Sequence, residues 1–369
     1  MIKILVIGYS NNRGGVETYI KNVFQNINKK DLEIHFTTIE SVGENYSELL
    51  ENGAIVHNVV LSRHNYIKYY LFWIDFFKKN KFDILYFNTC DIVSIDILKF
   101  AKKGNVPIRI IHSHSSKDTT DKNVLHRIEE KISRHNIDKF ATHFCACSDF
   151  SGQFMFDSRK YEIIKNGINI EKFCFDENKR TNKRYELGIE NKERAIVFVG
   201  RMNEVKDPLK AYEIFNHYSE KRKNIKLFFV GDGILLNEIN DKIKKEKVEN
   251  VSILGSRDDV AEIMMASDAF LMTSKFEGLP FVLVEAQATG LPCVVIDNVS
   301  SESKITDLVE FVENDADLDI WASKIDAALS RKIDREDYSA IVANEGFDIR
   351  NTAKMIEDFI KKNVYEKNN

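Results

Sequence analysis

The strongest constraint on this chain is a pattern that occurs twice. Near its start an unbroken apolar run, Ile2–Ile7, leads into a polar loop, Gly8–Gly15, and then into helical periodicity from Val16 to Ile27. In the second half Ala195–Val199, Gly200–Asp207 and Pro208–Tyr218 repeat that order. Apolar runs that do not alternate with polar residues belong to strands buried on both faces, which form parallel sheets joined by helical crossovers. Asp207 before Pro208 supplies a cap residue and a proline for the first helical turn.

More short apolar runs follow each opener. In the first half they are Glu33–Thr37, Ile55–Val60, Ile84–Phe87, Ile108–Ile111, His143–Ala146 and Glu162–Ile164. In the second they are Lys226–Val230, Val251–Leu254, Ala269–Met272 and Cys293–Ile296. Helical stretches separate most of them, which predicts an α/β protein with two doubly wound parallel sheets. A chain of 369 residues is long for a single core. The expected domains are 1–175 and 190–345, with a linker in the charge-dense stretch 176–192. A C-terminal helix within 346–369, amphipathic over Asn351–Tyr365, is expected to pack back on the N-terminal domain.

Composition narrows the function classes. A formal charge of -4 argues against a large nucleic-acid footprint, which needs a basic face. The five cysteines are scattered, and Cys145-Ala-Cys147 has no second pair, so neither a disulfide framework nor a zinc site is expected. Met1–Gly8 lacks the pattern of a signal peptide, and no stretch reaches the roughly 18 uncharged apolar residues that span a bilayer. A cytoplasmic protein is expected.

The sharpest chemical signal is Phe276-Glu277-Gly278-Leu279-Pro280, followed by a helical run that contains Glu285 and ends at Gly290. A strand precedes it, and the turn opens a helix whose first N–H groups can hold phosphate. Carboxylates eight residues apart at Glu277 and Glu285 can address two ends of one extended ligand. A second signal is Gly200-Arg201-Met202-Asn203-Glu204-Val205-Lys206, two cations flanking a loop after a buried strand. Fixed cations stabilise a diphosphate as it departs, without a metal. A third is Arg13-Gly14-Gly15-Val16-Glu17, where paired glycines permit close approach of the backbone, although alone they read as a plain turn. In a fourth, His112 and His114 share one side at a strand end.

In this order the motifs resemble retaining glycosyltransferases of family 4, which have the two-Rossmann GT-B fold. The likeness runs from Met1 to about Leu329 and is greatest to capsule and exopolysaccharide enzymes. It implies two domains facing a central cleft, with the C-terminal one holding a nucleotide sugar, most often a UDP-sugar. It assigns Arg201 and Lys206 to the donor diphosphate and Glu285 to the ribose. It places Glu277, with Gly278, Leu279 and Pro280, at the transferred sugar. It sets Gly14 and Gly15 near the phosphates and acceptor, and His114 at the reacting sugar. The catalytic set it implies is therefore His114, Glu277, Arg201 and Lys206, and no metal or other cofactor is expected. The implied acceptor is a glycan or an undecaprenyl-diphosphate-linked saccharide.

Departures from the family pattern are Asp207, where many members have glycine, and Ser300–Asp307, which lacks a glycine-rich turn. Asn166-Gly167-Ile168-Asn169, Gly231-Asp232-Gly233 and Leu254-Gly255-Ser256 read as turns, and Asp315-Ala316-Asp317 as a surface turn in place of a metal motif. The aromatic-rich stretch Tyr66–Lys81 reads either as a buried helix with a basic end or as a surface lying on the inner membrane leaflet. Two other functions stay open: an epimerase or hydrolase of UDP-N-acetylhexosamine on the same fold, and a nucleotide-sugar-binding subunit without catalysis.

Overall fold

The computed structural model describes residues 1–11, 14–38, 44–59, 65–115, 124–277 and 279–368. The chain divides into two compact units, Met1–Gly167 with Ile349–Asn369, and Ile168–Asp348.

The first unit holds a seven-stranded sheet. Its strands are β1 (Ile2–Ile7), β2 (Leu32–Thr38), β3 (Ile55–Asn58), β4 (Ile84–Thr89), β5 (Ile108–Ser113), β6 (His143–Ala146) and β7 (Glu162–Ile163). The order is β3-β2-β1-β4-β5-β6-β7, and every pairing is parallel. The order reverses at β1, whose loop leads to the helix Gly15–Asn26. An aromatic core fills one side, with Trp73, Phe77, Phe100 and Phe156 fully buried. The final helix, Ile349–Asn368, also belongs to this unit. It buries Ile356 and Ile360, sets Phe359 edge-on to His143, and accepts no gap at Gly167, where a Cβ would meet Thr352 Oγ1 at 2.5 Å.

The second unit holds a six-stranded sheet. Its strands are β8 (Arg194–Val199), β9 (Ile225–Val230), β10 (Val251–Gly255), β11 (Ala269–Met272), β12 (Cys293–Ile296) and β13 (Val309–Val312). They lie in the order β10-β9-β8-β11-β12-β13, again all parallel. The edge strand β13 is absent from the sequence reading. Its Val-Glu-Phe-Val is short, and the acids around it mask the apolar pair that packs inward.

The stretch 176–192 is not a linker. It contains the helix Glu177–Glu186 within the second unit, packed against the helix Val260–Ala266. Its packing is ionic and therefore leaves no apolar periodicity to read. Arg180 and Arg184 converge on Asp268, which is 7% exposed, and Asp268 also accepts the Ala195 N–H that opens β8. These cations hold the Asp268 carboxyl below the usual range against the opposing effect of burial. The chain passes between units at 167/168 and again at 348/349.

Candidate active site

In parallel sheets all carboxyl ends face one rim, and the loops leaving that rim are where ligands of such folds bind. In the second unit four of these loops are tied together by backbone contacts. Gly231, after β9, lies at φ 134°, where a Cβ would sit 1.9 Å from the Gly200 carbonyl oxygen. A Cβ on Gly233 would likewise sit 2.4 Å from the Met202 carbonyl oxygen. The Met202 N–H donates to Asp232, and Leu235 returns a bond to Met202. These glycines therefore serve to seat the 200–207 loop against its neighbour.

The same loop is held from the other side by the segment after β11. The Thr273 hydroxyl donates to the carbonyls of Lys206 (3.2 Å) and Asp207 (2.8 Å), and the Lys275 N–H donates to Val205 (2.8 Å). Asp207 has φ 47°, the left-handed region that favours glycine, and its side chain caps the helix Pro208–Glu220 through the Lys210 N–H. The conformation explains why glycine suits this position. Aspartate tolerates it better than most residues and adds a cap.

The outcome is that Lys206 and Glu277, distant in sequence, form an ion pair with each side chain 19% exposed. Arg201 is exposed, and among the described residues no hydrogen bond or ion pair holds its side chain. Gly278 lies outside the described residues. Leu279 and Pro280 are buried, and Pro280 precedes the helix Phe281–Ala288 with no side-chain cap, so the first N–H groups stay available to an anion. Glu285 lies in that helix, partly accessible, with its carboxyl pushed up to about 7 by burial while Lys172 pulls it down.

Sequence reading missed Gln287. Its amide, fully buried, donates to Leu283 O and Ser303 O, and its oxygen accepts from the Ile305 and Thr306 N–H groups and the Thr306 hydroxyl. It thereby holds the Ser300–Asp307 stretch, which contains a short 3-10 turn at Ser301–Ser303. That stretch is joined to Glu277 by the Ser300 N–H donating to the Glu277 carbonyl, 3.0 Å. Nothing in the residue order marks a glutamine inside a helix as the anchor of a loop that lies beyond the next strand.

In the first unit Gly14 precedes the helix Gly15–Asn26 without a side-chain cap, and Gly15 is its first residue; Arg13 lies outside the described residues. A Cβ on Gly14 would meet Glu17 Oε2 at 2.5 Å, and Glu17 is bonded to the Ser10 hydroxyl. His112 and His114 do share one side, with ring centroids 4.2 Å apart. His112 is fully buried, and its Nδ1 faces the Tyr86 hydroxyl (2.9 Å) and the Tyr19 hydroxyl (3.3 Å). Burial holds its ring well below the ordinary histidine pKa. His114 is partly accessible, bonds Asn88 Oδ1 through Nε2 at 3.0 Å, and lies tilted at 54° against the Tyr19 ring, centroids 4.6 Å apart. Burial pushes its ring down to about 3, with the Asn166 side chain opposing that. Among the described residues no group of three or more His, Cys, Asp or Glu is arranged to hold a metal ion.

Replacing Gln287 with leucine strands the Ser303 carbonyl and the Ile305 and Thr306 N–H groups. Gln287→Leu should cost about 3 kcal/mol in urea unfolding, given about 1–3 kcal/mol per buried group left unpaired. An unchanged unfolding midpoint would show that the loop does not depend on this amide.

Comparison with known proteins places the chain. Residues 13–172 match the family model described as Glycosyltransferase Family 4, and residues 179–344 match that of Glycosyl transferases group 1. A protein named as a glycosyltransferase, EpsF of Bacillus subtilis (strain 168), is 29% identical over 91% of this chain and 90% of its own length. The UDP-Gal:alpha-D-GlcNAc-diphosphoundecaprenol alpha-1,3-galactosyltransferase of Escherichia coli is 35% identical over 38% of this chain and 37% of its own length. The structure of Anabaena HepE in complex with UDP and glucose superposes with a TM-score of 0.77 at 16% identity, covering 98% of this chain and 100% of that one. The two parallel-sheet units, the charged rim of the second and the two family models, which together take in most of the sequence, make this chain a family 4 glycosyltransferase of the GT-B fold.

Proposed function

We propose that the enzyme transfers a hexose or N-acetylhexosamine from a UDP-sugar to a glycan or lipid-diphosphate-linked saccharide, with retention at the anomeric carbon, in cell-surface polysaccharide synthesis. The observation that carries this reading is the Lys206–Glu277 pair on converging loops, beside the exposed Arg201 and the uncapped start of Phe281–Ala288. A diphosphate entering there meets two cations and open N–H groups, so negative charge that grows on the leaving group is met by a prearranged field. Lys206 exchanges part of its contact with Glu277 for phosphate, which frees the Glu277 carboxylate to accept hydroxyls of the transferred sugar. Glu285 takes the ribose diol. For the first unit we assign His114 to the reacting sugar and Gly14 and Gly15 to the phosphates and acceptor. Arg201 and Lys206 supply the charge that a metal supplies in other transferases. The name of the Escherichia coli relative, with a UDP-linked donor and a diphosphoundecaprenol acceptor, supports the donor and acceptor classes.

An anionic membrane surface is the setting we propose for that acceptor. The expected aromatic stretch forms the helix Tyr66–Asn80, which buries Tyr69, Trp73, Phe76 and Phe77 and leaves Ile67 and Leu71 exposed. The helix Val124–Asn136 turns its polar side inward: Ser133 is bonded to Val93 O, and Arg134 to Glu130 and the carbonyls of Phe154 and Met155. Val124, Leu125, Ile128 and Ile132 point outward at 51–72% exposure, beside the exposed Arg127, Lys131 and His135. An apolar stripe edged with cations suits a bilayer interface. No helix among the described residues is long and apolar enough to cross a membrane.

Purified enzyme given a panel of nucleotide sugars with a lipid-diphosphate saccharide should transfer from a UDP-sugar. Lys206→Ala and Glu277→Ala should each lower kcat/KM by about a hundredfold or more with the fold intact by circular dichroism. Full activity in both variants would refute the site, and rapid turnover without acceptor would favour the epimerase or hydrolase.

The raised Glu285 pKa has a sign that can be followed. The carboxyl ionises near 4.5 in the unfolded chain and near 7 in the fold, so stability is lost as pH climbs from the first value to the second. Ribose binding needs the ionised form, so donor affinity should strengthen by roughly tenfold between pH 6 and pH 8. Isothermal titration should show that slope in the wild type and a flat profile in Glu285→Gln.

Wild-type protein should sediment with phosphatidylglycerol vesicles and not with phosphatidylcholine vesicles. The double variant Leu125→Asp, Ile128→Asp should lose that binding and keep its circular dichroism. Equal sedimentation of both proteins would exclude this face.

A further inference from the structure

We infer that Asn88 is a positioning residue which fixes the proton of His114 on Nε2. This rests on the reading above that His114 meets the reacting sugar.

Asn88 lies near the end of β4, is 3% exposed, and pairs in register with His112 of β5. Its side-chain nitrogen donates to the Ile7 carbonyl at 3.2 Å. A carbonyl only accepts, so that bond settles which end of the amide is nitrogen. The amide oxygen then faces His114 Nε2 at 3.0 Å and can only accept, so Nε2 carries the proton. The backbone leaves Asn88 little freedom. Gly8, which follows Ile7, has φ 110°, and a Cβ there would sit 2.4 Å from the Asn88 carbonyl oxygen and 3.0 Å from its Cβ. The ends of β1 and β4 therefore meet closely enough to set the direction of the Asn88 side chain.

A neutral imidazole has a single proton, so Nδ1 of His114 is a lone pair. That atom is buried and has no partner among the described residues, as is true of Asn166 Oδ1. Moving the proton to Nδ1, toward Asn166, would set the Asn88 oxygen against the Nε2 lone pair, acceptor against acceptor. Tyr19 from the helix Gly15–Asn26, Tyr86 from β4, His112 from β5 and Cys145 from β6 are the titratable groups of this cluster. Burial pushes Tyr19, Tyr86 and Cys145 toward their neutral forms and His112 likewise, so none of them supplies a charge that would draw a second proton onto His114. His114 then meets the sugar as an uncharged, fixed ring and does not deliver a proton to the leaving group.

Nitrogen NMR of the free protein labelled at histidine tests Asn88 without any substrate. Between pH 5 and pH 8 the His114 signals should show a protonated Nε2 and an unprotonated Nδ1. Asn88→Ala should shift the tautomer toward Nδ1, lower kcat by about tenfold, the worth of one hydrogen bond, and leave the donor KM within about twofold. A wild-type proton on Nδ1, or a tautomer unmoved by Asn88→Ala, would overturn the inference. The reading of His114 is judged separately: His114→Ala with undiminished transfer would remove the ring from the sugar site, whereas the tautomer is read before any sugar is present.

Discussion

Both sheets run wholly parallel, and everything else in the protein follows from that. Parallel strands cannot be joined by tight turns, so each must be followed by a crossover that returns the chain to the opposite end. Every strand of a sheet then discharges its loop on the same rim. In the second unit this brings the segments after β8, β9, β11 and β12 into backbone contact, and it delivers Lys206 to Glu277 across 71 positions of sequence. The functional groups sit on loops, but these loops are tied to one another by bonds from Thr273 and Ser300 and by the close packing of Gly231.

The charges of the site are not left idle in the absence of substrate. Lys206 and Glu277 satisfy one another, which lets two ionic groups remain partly buried without the desolvation penalty that either would bear alone. Arg201 stays in solvent, where an unpaired guanidinium costs little. Glu285, which among the described residues has no ion-pair partner, meets its burial by holding its proton up to about pH 7. Four ionisable groups thus show three ways of waiting for a ligand: paired, solvated and neutralised.

Much of this was legible in the residue order, because the physics behind it is local. Unbroken apolar runs reported parallel strands, and each expected strand was found within a few residues of its expected ends, whereas β13 went unread because its two valines are separated by a glutamate and a phenylalanine. Glu277, Glu285, Arg201 and Lys206 stood out because each follows a strand within one short loop or helix. What was illegible was packing by charge and by amide. The helix Glu177–Glu186 looked like a linker because arginines, and not leucines, attach it to its unit. Asn88 and Gln287 carried no signal, since the partners that give them meaning lie on other strands or beyond the next one. The Asp207 departure was visible as a departure, but its harmlessness needed the left-handed φ to be seen.

Gln287 has one more consequence, for how this protein can diverge. In a loop built on glycines, the backbone path is secured by the residues of the loop itself, so most substitutions in it alter the path. Here the path of Ser300–Thr306 is secured not only by its own bonds at Ser300 and Ser303 but also from outside, by one amide on a buried helix that binds main-chain groups and a single hydroxyl. Among the described residues no hydrogen bond or ion pair holds the side chains of Ser301, Glu302 and Lys304. They can change while the backbone that carries them keeps its path, so that the shape of the loop and the chemistry it displays are inherited from different residues.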